Sequence, residues 1–338
     1  MNFLIVLLAI ITVEAYGELA FIQRDEWVRK WHQGLAKLSF LQKSATLKVA
    51  VFVLVPAMVL HLVLIAMAQS HLGFFVFLLE LLVLLYALGR GNLDTQVSLL
   101  SSDLERDDLQ AAFHDAAVFN IAHREGNASN SADLRNEIFA ALPYRIFERS
   151  FAVVFLFFFL GAPAALCYRL LALHGDLSLE KDVDESAASK ESAASNKSAA
   201  SKKSSVDQSV ETVVEENSDQ NPEAITIPNP HSSSDLNSPA LKLLWLLEWI
   251  PVRLLGFTVG LVGSFSDTAT HLRELLFCRH TATAELLRRC VQGALGKFDQ
   301  AEAESESLNK AEINEVTSLF RRSMTAWLVG IAILVILS

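Results

Sequence analysis

Long apolar runs separated by polar stretches dominate the chain. Residues 49–68 form an apolar run of 20 residues. As a helix, such a run spans about 30 Å, the thickness of the hydrocarbon core of a bilayer. The run at 72–88 begins after only three intervening residues, so the two runs predict an antiparallel helical hairpin. Four more apolar segments raise the predicted number of membrane helices to six, and they cover residues 2–22, 151–173, 241–263 and 324–337.

Two of these segments are weaker than the others. Glu248, Pro251 and Arg253 interrupt the segment at 241–263, which allows a broken or re-entrant helix as well as a full span. The last segment is short, so it can cross a bilayer only with part of Thr317–Phe320 or with local thinning of the membrane. The number of crossings therefore depends on the segment at 241–263.

Basic residues orient the predicted helices. Lysine and arginine concentrate in two loops, 23–48 and 264–323, which predicts that both loops are cytoplasmic. With six spans, the segment at 89–150 is cytoplasmic as well, and residues 174–240 and both termini lie outside. Within 89–150, the apolar spacing predicts an amphipathic helix at about 132–149. Its inward positions are Leu134, Ile138, Ala141 and Leu142.

Composition excludes two broad classes of function. Of the 338 residues, 52% are hydrophobic and 20% are charged, and the mean hydropathy is +0.34. Soluble domains have about 45–50% apolar and about 25% charged residues, so the balance argues against an ordinary soluble enzyme. The net charge of −10 argues against a dominantly basic nucleic-acid binder, because such a protein needs a broad cationic surface.

Most of the negative charge lies in one segment. Residues 174–240 hold thirteen acidic and five basic residues, and they contain no aromatic residue. The tetrapeptide SAAS occurs three times there, with a period of six residues. Such a segment has too little apolar surface to offset the entropy of ordering, so it is predicted to be disordered. The fold class is therefore an all-α polytopic membrane bundle with cytoplasmic helices and an acidic insert, divided into 1–173, 174–240 and 241–338.

A histidine and a carboxylate lie at matching depths in the predicted hairpin. His61 precedes the turn at residue 70 by nine residues and Glu80 follows it by ten. Because a carboxylate inside a membrane is costly without a partner, the spacing predicts a contact between the two side chains if they face each other. The pair is interpreted as structural, with a proton-responsive site as the alternative.

No motif in the chain defines a catalytic, metal or cofactor site. The three cysteines are dispersed, and no P-loop, nucleophile elbow or metal-ligand spacing is present. The GxxxG sequence at Gly256–Gly260 is typical of close helix packing and requires no ligand. We therefore expect no cofactor, no metal and no nucleic-acid partner. From the apolar runs alone, the expected partner is the lipid bilayer.

Two short stretches resemble a known family. The first contains Gly161, Pro163, Tyr168 and Arg169, and the second runs from Trp249 through Pro251 to Arg253. Together they are similar to the membrane superfamily of AmpE and the CobD/CbiB cobalamin-biosynthesis proteins. There, a G-x-P-x-x-x-x-Y-R segment ends one membrane helix and a W-[IV]-P-x-R segment lies in the next. The resemblance covers about residues 1–173 and 241–338.

The stretch before the fourth predicted span favours one branch of that superfamily. In the cobalamin branch, a Glu-Asn pair at this place is associated with ligase activity, whereas this chain has Glu148 and Arg149. The resemblance to AmpE implies a signalling modulator in the inner membrane of a Gram-negative bacterium, linked to β-lactamase induction and cell-wall stress. The partners that it implies are an anionic ligand, such as one derived from the cell wall, and an unidentified protein. The alternatives are an ATP-dependent amide ligase acting on an anionic substrate and a small anion transporter.

The two motif arginines are the candidate ligand site. A guanidinium presents a fixed fork of donors that suits a carboxylate or a phosphate. If the segment at 241–263 dips into the membrane near the fourth span, Arg169 and Arg253 could bind an anion together with Tyr168 and Trp249. Alternatively, Arg169 reaches the membrane interface and Arg253 pairs with Glu248.

Overall fold

The computed structural model describes residues 2–16, 23–37, 44–88, 93–106, 108–116, 119, 131–177, 239–265, 268, 282–296 and 310–337. Within these ranges the regular structure is entirely helical. The helices are α1 Asn2–Tyr16, α2 Glu26–Ala36, α3 Ala45–Gln69, α4 Gly73–Ala87, α5 Leu93–Glu105, α6 Leu109–Ala116, α7 Ser131–Ile146, α8 Ala152–Leu160, α9 162–177, α10 Pro239–Val262, α11 Thr283–Ala294 and α12 Lys310–Leu337. The insert predicted to be disordered covers 174–240, but residues 174–177 belong to α9 and residues 239–240 to α10. The rest of the insert, 178–238, lies outside the described residues.

Three helices among the described residues, α3, α10 and α12, are long and apolar enough to cross a membrane. Helix α3 also carries large apolar side chains on its outer surface: Leu54, Met58 and Leu62 are 60%, 62% and 59% exposed. A continuous apolar surface of this kind is typical of a face that contacts lipid rather than water. These three elements therefore have the length and the apolar surface of membrane-spanning helices, which indicates association with a membrane.

Helices α3 and α4 form the predicted hairpin, but two of the predicted spans are short. The turn at Ser70–Leu72 joins α3 to α4, and the two helices pack together. Helices α1 and α4 have 15 residues each, fewer than the roughly 20 that a straight helix needs to cross a bilayer. The remainder of the segment predicted at 2–22, residues 17–22, lies outside the described residues.

The segment at 241–263, for which the sequence left a full span and a broken or re-entrant helix open, lies in one continuous helix to Val262. Helix α10 runs through Pro251 without interruption. Both charged residues that weakened the prediction are buried, with Glu248 at 1% and Arg253 at 9% exposure. Oε1 of Glu248 and the guanidinium of Arg253 have partners inside the protein, so the helix stays continuous at these charged residues.

The segment at 151–173 is divided, whereas the sequence predicted one span. Gly161 separates α8 from α9 and has a φ of +84°, in the left-handed region that other residues rarely adopt. Pro163 follows in the first turn of α9, where its missing N–H breaks no helical hydrogen bond. The glycine and proline of the first motif therefore mark the end of α8 and the start of α9.

The segment at 89–150 contains helices before and after a stretch that lies outside the described residues. Helices α5 and α6 come first, and α7 covers most of the predicted helix at 132–149. Its four predicted inward residues are all buried: Leu134, Ile138, Ala141 and Leu142. A single π-helical turn at Phe147–Phe151 then joins α7 to α8.

Helix α10 lies at the centre of the packing and contacts α3, α8, α11 and α12. Close approaches occur near its carboxyl end. A Cβ atom added to Gly260 would lie 2.9 Å from Cγ2 of Thr268, and one added to Gly263 would lie 2.7 Å from Cβ of Ala294. Helix α11 contacts both α10 and α7, so it connects the carboxyl-terminal half of the chain to the amino-terminal half.

Cys290, on the buried face of α11, is expected to resist chemical labelling. Burial raises the pKa of its thiol to about 12, and only the thiolate reacts with alkylating agents. At pH 8 the thiolate fraction is then about a thousandfold below that of a free cysteine. Peptide mapping after iodoacetamide treatment would measure this, with the detergent-unfolded chain as the control. Equal labelling of Cys290 in the folded and unfolded chains would contradict its burial.

Candidate functional site

A buried carboxylate is the centre of the most polar region inside the helical packing. Glu248 lies on α10, and it accepts hydrogen bonds from two tyrosine hydroxyls at the same oxygen, Oε1. Tyr144 donates from α7 at 3.0 Å, and Tyr168 donates from α9 at 2.9 Å. Three helices are therefore joined at one carboxylate oxygen, within a region closed to solvent.

The second carboxylate oxygen of Glu248 is not satisfied. Its Oε2 atom is buried and has no hydrogen-bond partner. The side chain of Thr283, at the start of α11, lies beside the carboxylate. A carboxylate oxygen without a donor is costly in such a place, so Oε2 is the position at which a proton or a ligand hydrogen-bond donor would be most favourable.

An ion pair lies next to this carboxylate at the π-helical turn. Arg145 donates to Oε2 of Glu148 at 2.8 Å and to the backbone oxygen of Phe119 at 3.1 Å. Asp176 approaches the same guanidinium at 3.6 Å. Burial by itself would raise the pKa of Glu148, but the positive charges of Arg145 and Arg149 outweigh it and hold that pKa below its usual value. Glu148 is therefore ionised at neutral pH.

The tyrosine hydroxyl from α7 remains protonated. Burial raises the pKa of Tyr144 well above its usual value, and the negative charges of Glu248 and Glu148 raise it further. Tyr144 is thus a fixed hydrogen-bond donor to Glu248 at all physiological pH values.

Arg149 lies on the same π-helical turn as Glu148. Burial and the positive charge of Arg145 lower the pKa of the Arg149 guanidinium to about 10. This guanidinium donates to the amide oxygen of Gln96 at 3.4 Å.

Arg169 joins the amino-terminal part of the chain to α9. Its Nη2 atom lies 3.4 Å from Oδ2 of Asp25, whose other oxygen accepts a hydrogen bond from the hydroxyl of Tyr86. All three side chains are buried. The Nε atom of Arg169 has no hydrogen-bond partner. Arg169 is thus buried and held by a carboxylate of the protein.

Arg253 makes local contacts on its own helix. Its guanidinium stacks over the indole ring of Trp249 at 4.2 Å from the ring centroid, and it donates to the backbone oxygen of Trp249 at 2.9 Å. It does not pair with Glu248, whose partners are the two tyrosines. The predicted pairing of Glu248 with Arg253 is therefore not observed, because their positions on a continuous α10 direct the two side chains differently.

The four residues predicted as an anion site take separate partners. Tyr168 contacts Glu248, Arg169 contacts Asp25, and Arg253 contacts Trp249. The tyrosine of the first motif thus reaches the residue that immediately precedes the second motif. The structure brings the two motifs together through this hydrogen bond rather than through paired guanidiniums.

His61 and Glu80 are not brought together. His61 is exposed on α3 and Glu80 is partly buried on α4. No hydrogen bond or ion pair joins these two described residues. Matching depth fixes the position of each residue along its helix, but the rotation of each helix decides the direction of its side chain. That rotation is set by packing and not by the length of the turn.

Sequence reasoning missed two residues that hold the polar region together. Asp25 was overlooked because it lies in a basic loop and belongs to no recognised motif. Asp176 was overlooked because it was counted as part of the acidic insert. A buried arginine near a predicted span implies a carboxylate partner, which is the signal that could have prompted a search for Asp25.

Among the described residues, no group of three potential ligands could hold a metal ion. Comparison of the chain with protein-family models, curated proteins and solved structures finds no match.

Proposed function

We propose that the chain is a multi-pass protein of a bacterial inner membrane that modulates signalling in the manner of AmpE, within the response to β-lactams and cell-wall stress. The family resemblance of the two motifs is the origin of this proposal. Its structural support is the hydrogen bond of 2.9 Å from Tyr168 to Glu248, which links the first motif to the helix that carries the second. A shared sequence pattern is best explained when its parts meet in the fold.

Intramolecular pairing favours a modulator over an enzyme. Arg145 and Arg169 are both buried and both contact carboxylates of the protein, at 2.8 Å and 3.4 Å. An arginine that serves to capture a substrate has to offer its donors to that substrate. The Arg145 pair is local, whereas the Arg169 pair joins α9 to the residue that precedes α2. A contact between distant segments suits a protein that passes a change of conformation on to a partner.

The polytopic topology is part of the proposal. The three long apolar helices cross the membrane, and α1, α4 and the α8–α9 pair contribute the remaining apolar segments. The basic loops lie in the cytoplasm, and the acidic insert lies on the outer side. Gly161 permits α8 and α9 to enter the bilayer at different angles, because its left-handed backbone interrupts the helix.

Substitution of the two motif arginines tests the signalling role. Arg169→Gln removes the charge that faces the buried Asp25, and Arg253→Gln removes the guanidinium that covers Trp249. We expect each variant to change β-lactamase induction several-fold at an unchanged level of membrane protein. Induction would be measured as β-lactamase activity after exposure to a β-lactam, with quantitative immunoblotting of the membrane fraction.

Arg289→Gln is a matched control for these variants. It removes the same charge from an exposed residue of α11 whose carboxylate partner, Glu285, keeps a second arginine. Its induction should equal that of the unmodified protein. Unchanged induction in both motif variants, with normal protein levels, would contradict the signalling role.

One observation favours a second candidate function, a membrane enzyme on the same scaffold. Two buried atoms with opposite hydrogen-bonding needs have no partner: Oε2 of Glu248, an acceptor, and Nε of Arg169, a donor. A polar substrate could satisfy both kinds of atom. Normal induction in the arginine variants would favour this candidate over the modulator.

A further inference from the structure

Glu248 is a buried carboxyl group without a cation as its partner. The residue is 1% exposed and lies near the middle of α10. Its hydrogen bonds come from the neutral hydroxyls of Tyr144 and Tyr168, and the described residues of the other helices around α10 contribute no ion pair to it. An ionised carboxylate that is removed from water without a cation is very costly, so the protonation state of Glu248 requires an explanation.

The charged residues around this carboxyl group do not neutralise it. Arg145 is bound to Glu148 at 2.8 Å, and Arg169 lies 3.4 Å from Asp25. Arg253, on the same helix as the carboxyl group, stacks on an indole ring. The charge that acts most strongly on the site is that of Glu148, which is negative. A second negative charge next to it would be repelled, so the surroundings favour a neutral carboxyl group.

The hydrogen bonds of the site suit a carboxylic acid. Both tyrosine hydroxyls donate to Oε1, and a carbonyl oxygen has two lone pairs, so both bonds persist in the neutral acid. Oε2 is buried and receives no hydrogen bond from the described residues. A proton on Oε2 removes the need for a donor at this atom and turns the atom into a donor itself. The hydroxyl of Thr283 lies beside the carboxyl group and can accept that hydrogen bond.

We propose that Glu248 is a proton-binding site that is occupied at neutral pH, with the proton on Oε2. The carboxylic acid then joins four helices, because it lies on α10, accepts from α7 and α9, and donates to the first residue of α11. A proton needs no cavity between these helices. Its uptake also removes the charge from one of the three helices that are long and apolar enough to cross a membrane. The site does not depend on the signalling role proposed above.

Infrared spectroscopy of the full chain in dodecyl maltoside micelles, which contain no carbonyl group, tests the proposal. A protonated carboxylic acid has a C=O stretching band that is separate from the bands of carboxylates and of backbone amides. We expect this band in the unmodified protein at pH 7, a shift of the band in heavy water, and its loss in Glu248→Gln. The glutamine keeps the shape of the side chain but cannot carry the proton. Isotopic labelling of glutamate should move the band and distinguish it from that of an aspartic acid.

Two other glutamates provide controls with the same substitution. Glu285 on α11 is bound by two arginines, at 2.8 Å and 2.6 Å, and is therefore ionised, so Glu285→Gln should leave the band unchanged. Glu80 is partly buried on α4, and Glu80→Gln should also keep the band. A band that is lost in Glu80→Gln and kept in Glu248→Gln would assign the proton to Glu80 and overturn the proposal.

Phenylalanine variants keep the glutamate, so they decide the question if Glu248→Gln does not fold. Tyr144→Phe and Tyr168→Phe each remove one hydrogen bond from Oε1, and a carbonyl group with fewer hydrogen bonds absorbs at a higher wavenumber. We expect an upward shift of the band in both variants. Tyr86→Phe is the matched control, since its hydroxyl donates to Asp25 instead, and the band should stay in place. Absence of the band at pH 7 overturns the proposal, and so does a band that the glutamine and phenylalanine variants do not alter.

Discussion

Replacement of Arg135 by methionine is expected to lower the free energy of unfolding by about 3–5 kcal/mol, since it leaves a buried charge without its partner. Arg135 on α7 binds Glu312 on α12 through two hydrogen bonds, Nε to Oε2 at 3.0 Å and Nη2 to Oε1 at 2.8 Å. Both side chains are buried, at 6% and 8% exposure. This pair joins two helices that are 177 residues apart in the chain. The measurement is reversible denaturation of the detergent-solubilised protein.

Two further variants separate the loss of the pair from a general effect of substitution. Glu105→Gln, which breaks the exposed pair with Lys310, should change the free energy of unfolding by less than about 1 kcal/mol. The double variant Arg135→Met, Glu312→Leu removes both charges and should recover most of the stability lost in Arg135→Met. A single variant as stable as the unmodified chain would show that water reaches Glu312 and that the pair is not buried.

Replacement of Glu248 by leucine is expected to lower the free energy of unfolding by about 2–6 kcal/mol, because two buried tyrosine hydroxyls lose their common acceptor. Glu248→Gln keeps a side chain of the same shape with one acceptor oxygen, so it should lower the free energy of unfolding clearly less than Glu248→Leu does. The comparison of the two variants isolates the hydrogen bonds from the size of the side chain. Thermal unfolding of the purified variants would measure both.

Removal of the tyrosine hydroxyls provides the control for this second prediction. In the background of Glu248→Leu, the changes Tyr144→Phe and Tyr168→Phe remove the unsatisfied donors and should restore part of the stability. In the unmodified background the same changes should be destabilising. Additive effects of the glutamate and tyrosine substitutions would contradict the hydrogen-bonded arrangement at Oε1.

Helical positions were easier to predict than the side chains that meet. The apolar run at 49–68 lies within α3. The last apolar segment was predicted to need part of Thr317–Phe320 to be long enough to cross a bilayer, and α12 includes these residues because it is continuous from Lys310. The segment at 241–263 shows the limit of this reasoning. Its charged residues left a break and a full span open. The tyrosines from α7 and α9 that donate to Oε1 of Glu248 could not be identified from the local sequence of α10.

In the candidate site, too, the residues could be identified from the sequence but their contacts could not. The motifs identified Tyr168 and Arg169 as residues of interest, but their partners come from distant parts of the chain: Tyr168 contacts Glu248 and Arg169 contacts Asp25. Spacing along one helix defines which residues share a face. It carries no information on which face of another helix will be opposite, because that depends on the packing of all helices together.

By itself, the sequence determined the helical class, the helices that are long and apolar enough to span a membrane, and the location of the acidic insert, since each follows from local composition and from the 3.6-residue period of a helix. Only the tertiary structure decided that Glu248 binds two tyrosines and that Arg169 is neutralised by Asp25. Those outcomes depend on the rotation and contact of helices that are far apart in the chain. Burial makes such contacts necessary, because a polar group removed from water needs a partner wherever the fold can supply one.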